Sequence, residues 1–124
     1  MRVVLVGVCG SGKTTLAQGL RRLGYEVREC RQEHSGVPRM WQVISRPDVL
    51  IFLDASDEVV QRRGRRLPFA SFLADQRCRL AHARDHADLY LMTDELSVEQ
   101  VLEKAAGFLS AWQEHKSTNH LTGV

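Results

Sequence analysis

The sequence predicts an α/β fold in three layers, with a reduced, mostly parallel sheet of about four strands flanked by helices. Three observations carry that expectation. Short apolar runs alternate with helix-period runs along the whole chain, as in folds whose parallel strands are joined by helices. Two of those runs, residues 3–6 and 49–53, are continuously apolar, as strands buried on both faces are. The first stops at Gly7 and the second at Asp54, so each ends where a rim loop would begin.

Each element has its own local reason. After the first strand, Leu16, Leu20 and Leu23 recur at i, i+4 and i+7 and describe a helix from Lys13 that Gly24 terminates. Tyr25 and Val27 alternate with polar residues, which predicts a weaker strand over about 25–31. Val37, Met40, Trp41 and Ile44 fit one face of a helix, with Pro38 near its start and Pro47 beyond its end. Residues 49–53 are the clearest strand. Ser56 then suits the cap of a helix whose first turn carries Asp57 and Glu58 against the dipole, and which runs out at Arg65, Arg66, Leu67 and Pro68. Phe69, Leu73, Gln76, Leu80, Ala83 and Ala87 describe one side of a long helix, and residues 89–92 a fourth strand. Ser97 and Gln100 form a capping box before a fifth helix that buries Val98, Val101, Leu102, Ala105, Phe108, Leu109 and Trp112. Periodicity is lost from His115, so a single domain over 1–114 is expected to be followed by a frayed tail over 115–124. Right-handed crossovers would bring every strand's C-terminal end to one rim, where such folds bind ligands.

Composition narrows the class. Apolar residues make up 44% and charged residues 26%, ordinary proportions for a globular domain. No apolar run approaches the ~20 residues that span a bilayer, and the N-terminal residues do not read as a signal peptide. The three cysteines, Cys9, Cys30 and Cys78, have no CxxC spacing, which argues against both a disulfide framework and a zinc site and for a reducing, cytoplasmic setting. The net charge of +2 is unevenly spread, with Arg62, Arg63, Arg65, Arg66, Arg77, Arg79 and Arg84 close together. Such a cluster suits an anionic partner. No aromatic interleaving accompanies it, so a small phosphate ligand is expected and nucleic acid or a membrane is not.

The chemistry concentrates in Gly7, Val8, Cys9, Gly10, Ser11, Gly12, Lys13 and Thr14, which fit G-x-x-x-x-G-K-[ST] without a mismatch. Glycines let the backbone curl until successive N–H groups point inward at phosphate oxygens. The helix that opens at Lys13 turns its positive end to the same anion. Lys13 supplies a point charge to the β- and γ-phosphates, and the Thr14 hydroxyl is a Mg²⁺ ligand, with Thr15 beside it. The motif follows a predicted strand and opens a predicted helix, the context it needs. ATP with Mg²⁺ is the expected ligand and GTP the alternative, because no guanine-selecting loops are evident. The dinucleotide pattern G-x-G-x-x-G does not fit the glycine spacing.

Beyond this loop, residues 53–66 resemble the core of the nucleoside monophosphate kinase and shikimate kinase group, in which a strand ends in Asp, a capped helix follows, and arginines lead into a lid. Residues 77–94, with Ala87, Asp88, Thr93 and Asp94, resemble the helix and strand after that lid. The resemblance implies a P-loop NTPase fold and transfer of the γ-phosphoryl group of ATP to a small acceptor. It also implies a lid-like segment over about 62–79, with Arg63 or Arg62 near the adenine and Arg66 and Arg77 facing the phosphates. The chain departs from the group in the short span between the weak strand and Val49, where one edge strand and most of an acceptor-binding insert are missing. The 25–31 strand would then lie beside the first. Glu33, just past it, is the candidate for Mg²⁺ or for a base toward the acceptor, ahead of Asp54, which reads as a turn anchor; His34 and Ser35 are its polar neighbours. A nucleotide-binding module with little or no catalysis, or a slow NTPase acting with a partner, is the competing expectation.

Other residues read as structural. His82 and His86 have a zinc-capable spacing without a metalloprotease glutamate and are expected on a solvated helix face. Cys9 sits inside the phosphate loop, where alkylation would block nucleotide binding. Trp41 and Trp112 lie on apolar faces and are expected in the core.

Overall fold

The computed structural model describes residues 1–63 and 72–122. Its sheet has four parallel strands: β1 (Arg2–Gly7), β2 (Glu26–Glu29), β3 (Val49–Asp54) and β4 (Leu89–Met92), in the order β2-β1-β3-β4. β1 is central, with Leu5 opposite Glu29 on one side and Ile51 on the other. The strand expected over 25–31 thus pairs directly with the first strand.

Helices cover both faces, because side chains alternate across a strand. Val3 and Leu5 of β1, with Ile51 and Leu53 of β3, pack against Leu16, Ala17 and Leu20 of α1 (Lys13–Arg22) and Val101, Ala105 and Leu109 of α5 (Val98–Thr122). Val4 and Val6, with Leu50 and Phe52, face the other way. They meet Trp41 of α2 (Met40–Val43), Val59 and Val60 of α3 (Asp57–Arg62), and Leu73, Leu80 and Ala83 of α4 (Phe72–His86). Each such buried aliphatic side chain contributes about 1.5–3 kcal/mol, so the two faces together hold the sheet.

At the N-terminal rim, two acids receive the chain as it enters the sheet. Asp48 Oδ2 accepts from Arg2 N at 2.6 Å, and Asp88 Oδ2 accepts from Leu50 N at 2.8 Å. On the outer side of β2, Arg21 of α1 donates from Nε and Nη2 to the Val27 carbonyl at 3.3 and 2.8 Å. A side chain stands there where a further strand would.

The span from 37 to 44 differs from expectation. Only Met40–Val43 is helical, and of the apolar set Trp41 alone is buried, whereas Val37, Val43 and Ile44 are exposed. The reason is local. No side chain caps the segment, and the Val37 carbonyl is taken by the Gln32 side chain at 2.7 Å. Trp41 is in the core as expected, and its indole N–H donates to His82 Nδ1 at 3.1 Å. The His82 and His86 rings stack at 4.2 Å, so His82 packs rather than simply facing solvent, and burial beside His86 lowers its pKa. α3 stops at Arg62, with Arg63 as its C-cap. The expected start of the next helix at Phe69 lies outside the described residues. Past Trp112, where the apolar period ends, the α5 backbone stays helical to Thr122. Among the described residues no helix is long and apolar enough to cross a membrane.

Candidate functional site

The loop between β1 and α1 is held open by its glycines. A Cβ on Gly7 would lie 2.1 Å from the Leu53 carbonyl oxygen, so only glycine lets β1 turn away from β3 at this point. Gly12 caps α1 at φ 102°, a left-handed conformation that a side chain would strain. The curl so produced leaves the N–H groups of Gly10, Gly12, Lys13 and Thr14 without an acceptor among the described residues, whereas Ser11 N donates back to Val8 O at 3.1 Å. Unsatisfied amides at a helix start form a concavity of positive potential.

Lys13 lies inside that concavity. Its ammonium donates to the Gly7 carbonyl and forms an ion pair with Glu33 Oε2, both side chains being almost fully covered. Glu33 reaches the loop from a 3₁₀ turn, Gln32–His34, that follows β2 directly. The turn is fixed from beneath: Gln32 is wholly buried and accepts from Trp41 N at 2.9 Å. Glu33 Oε1 is buried and has no hydrogen-bond partner among the described residues; the same holds for Ser11 Oγ and Gln76 Nε2. All three belong to residues in or against the loop.

Thr14 and Glu29 form the second polar pair. The Thr14 hydroxyl donates to Glu29 Oε1 at 2.7 Å. No motif marks Glu29, because its position depends on β2 lying parallel beside β1 with Leu5 opposite Glu29. That register places the last residue of β2 level with the start of the loop.

Arg63 closes the loop from the far side. Its guanidinium donates to Gly10 O at 2.8 Å, to Thr93 Oγ1 at 3.1 Å and to Thr93 O at 3.0 Å. The buried Thr93 hydroxyl also lies 3.1 Å from Ser11 O and 3.0 Å from Asp54 O, joining the ends of β3 and β4 to the loop. Gln76 of α4 accepts from Cys9 N at 2.9 Å. Neither Gln76 nor Thr93 was assigned this role from sequence. A polar residue on the buried face of a helix, and one just past a strand on the ligand rim, are the signals that point to them.

Two cavities meet at this loop. One, of about 460 Å³, is lined by Cys9, Gly10, Gly12, Lys13, Thr14, Thr15, Glu29, Arg31, Glu33, His34 and Arg63. It gathers most of the residues expected to hold phosphates or metal. The other, of about 580 Å³, lies between α1 and the start of α5 and is lined by Leu16, Gly19, Leu96, Val98, Val101 and Leu102 beside polar neighbours. The cavities share Gly10, Gly12, Thr15 and Arg63 as lining, so they adjoin at the loop, one polar and the other largely apolar.

The remaining candidates lie elsewhere. Arg77 is engaged at the β3–α3 turn, donating to Asp57 Oδ1 at 2.8 Å and Ala55 O at 3.0 Å. Asp54 anchors the same turn, accepting from Ala55 N at 2.8 Å and from the Tyr90 hydroxyl at 2.6 Å. Arg66 lies outside the described residues. Comparison of the chain with protein-family models and with curated proteins returns no match.

Proposed function

We propose that this chain binds ATP with Mg²⁺ in the two adjoining cavities and transfers the γ-phosphoryl group to a small acceptor. The observation that carries the proposal is the convergence, around one cavity, of free loop amides, the Lys13 ammonium and the Thr14–Glu29 pair. Amides and ammonium suit the oxygens of a polyphosphate. A hydroxyl beside a carboxylate suits a hard divalent cation, which binds oxygen ligands and takes charge from the phosphates. Thr14 would hold the cation directly and Glu29 or Glu33 through its hydration shell. The apolar cavity across Arg63 fits a base, with the guanidinium as the face on which it stacks.

In this reading Lys13 exchanges Glu33 for the β- and γ-phosphates when the nucleotide enters. Glu33 is then free to take the proton of the acceptor hydroxyl. The acceptor oxygen forms the new P–O bond as the bond from the γ-phosphorus to the bridging oxygen breaks, and ADP leaves. Most of the rate enhancement in such a transfer comes from positioning and charge stabilisation.

The test is titration calorimetry of ATP–Mg²⁺ and GTP–Mg²⁺, followed by measurement of ADP formed with a panel of hydroxyl compounds. Lys13→Ala should abolish both binding and turnover. Glu33→Gln should keep nucleotide affinity and lower turnover about 100-fold or more. A second reading, a binding module without catalysis, is favoured by one observation: Glu33 is already occupied by Lys13. Tight ATP binding with equal, background ADP formation by wild type and Glu33→Gln would select it. Failure of both nucleotides to bind would end both readings.

A further inference from the structure

A third hollow, of about 550 Å³, opens on the outer side of the sheet and is lined by Thr14, Arg21, Val27, Arg28, Glu29 and Arg31. The phosphate-loop reading uses its Thr14 and Glu29 but none of its arginines. Its charge is unbalanced, with three arginines to one carboxylate, and that carboxylate already accepts from the Thr14 hydroxyl. Arg21 spends two of its nitrogens on the Val27 carbonyl. Arg28 and Arg31 are exposed, and neither guanidinium has a hydrogen bond or ion pair among the described residues. Two unengaged guanidinium groups beside a concavity are a recognition element for a planar or tetrahedral oxyanion, which they can grip through paired N–H donors.

Position gives the hollow its meaning. It shares Thr14, Glu29 and Arg31 with the phosphate cavity, so the two are contiguous at the end where Thr14 stands. A molecule anchored by its anionic group in the hollow would extend its other end toward Thr14 and Glu33. The hollow exists because β2 is the edge of the sheet; another strand beside it would fill the space.

We propose that this hollow binds the anionic group, a phosphomonoester or a carboxylate, of the hydroxyl compound that accepts the phosphoryl group. The proposal rests on the reading of the β1–α1 loop as a triphosphate site. It commits the acceptor to carry both a hydroxyl and an oxyanion, and it places its anchor on β2.

The test uses the full chain labelled with ¹⁵N, as wild type and as Arg28→Ala, and records the arginine Nε–H and loop amide signals. AMP-PNP–Mg²⁺ is added to saturation first, so that the loop is filled. Inorganic phosphate, acetate and, as a control for ionic strength, chloride are then titrated separately. Saturable shifts of the Arg28 and Arg31 signals with phosphate or acetate, and not with chloride, are expected. The stronger of the two anions identifies a phosphate-bearing or a carboxylate-bearing acceptor. Arg28 lines the hollow and not the phosphate cavity, so Arg28→Ala should weaken the anion about tenfold and leave AMP-PNP affinity within about twofold. Shifts that do not saturate, that chloride reproduces, or that persist unchanged in Arg28→Ala would overturn the anion site. Absence of AMP-PNP shifts at Gly10 and Gly12 would instead overturn the loop reading, and with it the acceptor role of the hollow.

Discussion

The Lys13 ammonium and the Glu33 carboxylate form an ion pair within the curl of the β1–α1 loop, with side-chain exposures of 11% and 4%. A pair so covered is held less by its own attraction than by the cost of separating it, since either charge alone would be left buried and uncompensated. Lys13→Met should therefore lower the free energy of unfolding by about 3–5 kcal/mol. Adding Glu33→Gln should restore most of that loss. Urea unfolding of the four proteins of this cycle measures the coupling, and additive effects of the two substitutions would show that the pair contributes nothing to stability.

The Glu29 carboxylate accepts from the Thr14 hydroxyl and has no other partner among the described residues, so its proposed contribution is to the metal rather than to the phosphates. Glu29→Gln should raise the Mg²⁺ concentration needed for half-maximal turnover about tenfold. Affinity for ATP measured in EDTA should stay unchanged. A normal Mg²⁺ requirement in the variant would leave Glu33 as the carboxylate concerned.

Gly7→Ala sets a methyl group 2.1 Å from the Leu53 carbonyl oxygen, a backbone atom of the neighbouring strand that cannot swing aside. The sheet must shift to admit it. A loss of about 2–3 kcal/mol in unfolding free energy is expected, together with weakened nucleotide binding, because the same displacement tilts the loop. Unfolding and calorimetry on the one variant read both effects, and a protein of wild-type stability would contradict the close approach.

Tyr90 contributes a pH dependence of stability at the alkaline end. Partial burial, and then its hydrogen bond to Asp54 and the charge of that carboxylate, push its hydroxyl pKa up to about 12. In the unfolded chain a tyrosine titrates near pH 10. The folded state therefore keeps a proton that the unfolded state releases, and the stabilisation is complete below about pH 10 and lost as pH rises toward 12. Melting temperatures of wild type and Tyr90→Phe should run parallel below pH 9 and converge between pH 10 and 12. Curves that stay parallel throughout would remove Tyr90 as the source.

What the sequence made legible was whatever depends on near neighbours. Ser56 Oγ accepts from Val59 N at 3.3 Å, and Ser97 and Gln100 exchange hydrogen bonds at 2.9 and 3.1 Å, because each cap needs only three residues of chain. The continuous apolar runs became β1 and β3 because burial on both faces leaves no polar alternation. The α2 region misled for a related reason: its apolar spacing fits a helix, but side-chain capture of the Val37 carbonyl and the missing cap outweigh a weak period. Glu29 was beyond reach of local reading, and for Gln76 and Thr93 local reading marks the position without the partner. Gln76 meets Cys9 across 67 residues and Thr93 meets Ser11 across 82, contacts that exist only once strand order and register are fixed.

The Arg21 guanidinium on the Val27 carbonyl has a consequence for how copies of this chain treat one another. A parallel sheet that ends in an uncovered strand offers a row of amide and carbonyl groups on which a second polypeptide can crystallise, the start of fibrous aggregation. Here one of those acceptors is already capped from within, and exposed charges at Glu26 and Arg28 flank it. At this edge of the sheet, resistance to self-association thus rests on a border a few residues long, and truncating Arg21 would turn that border into a template.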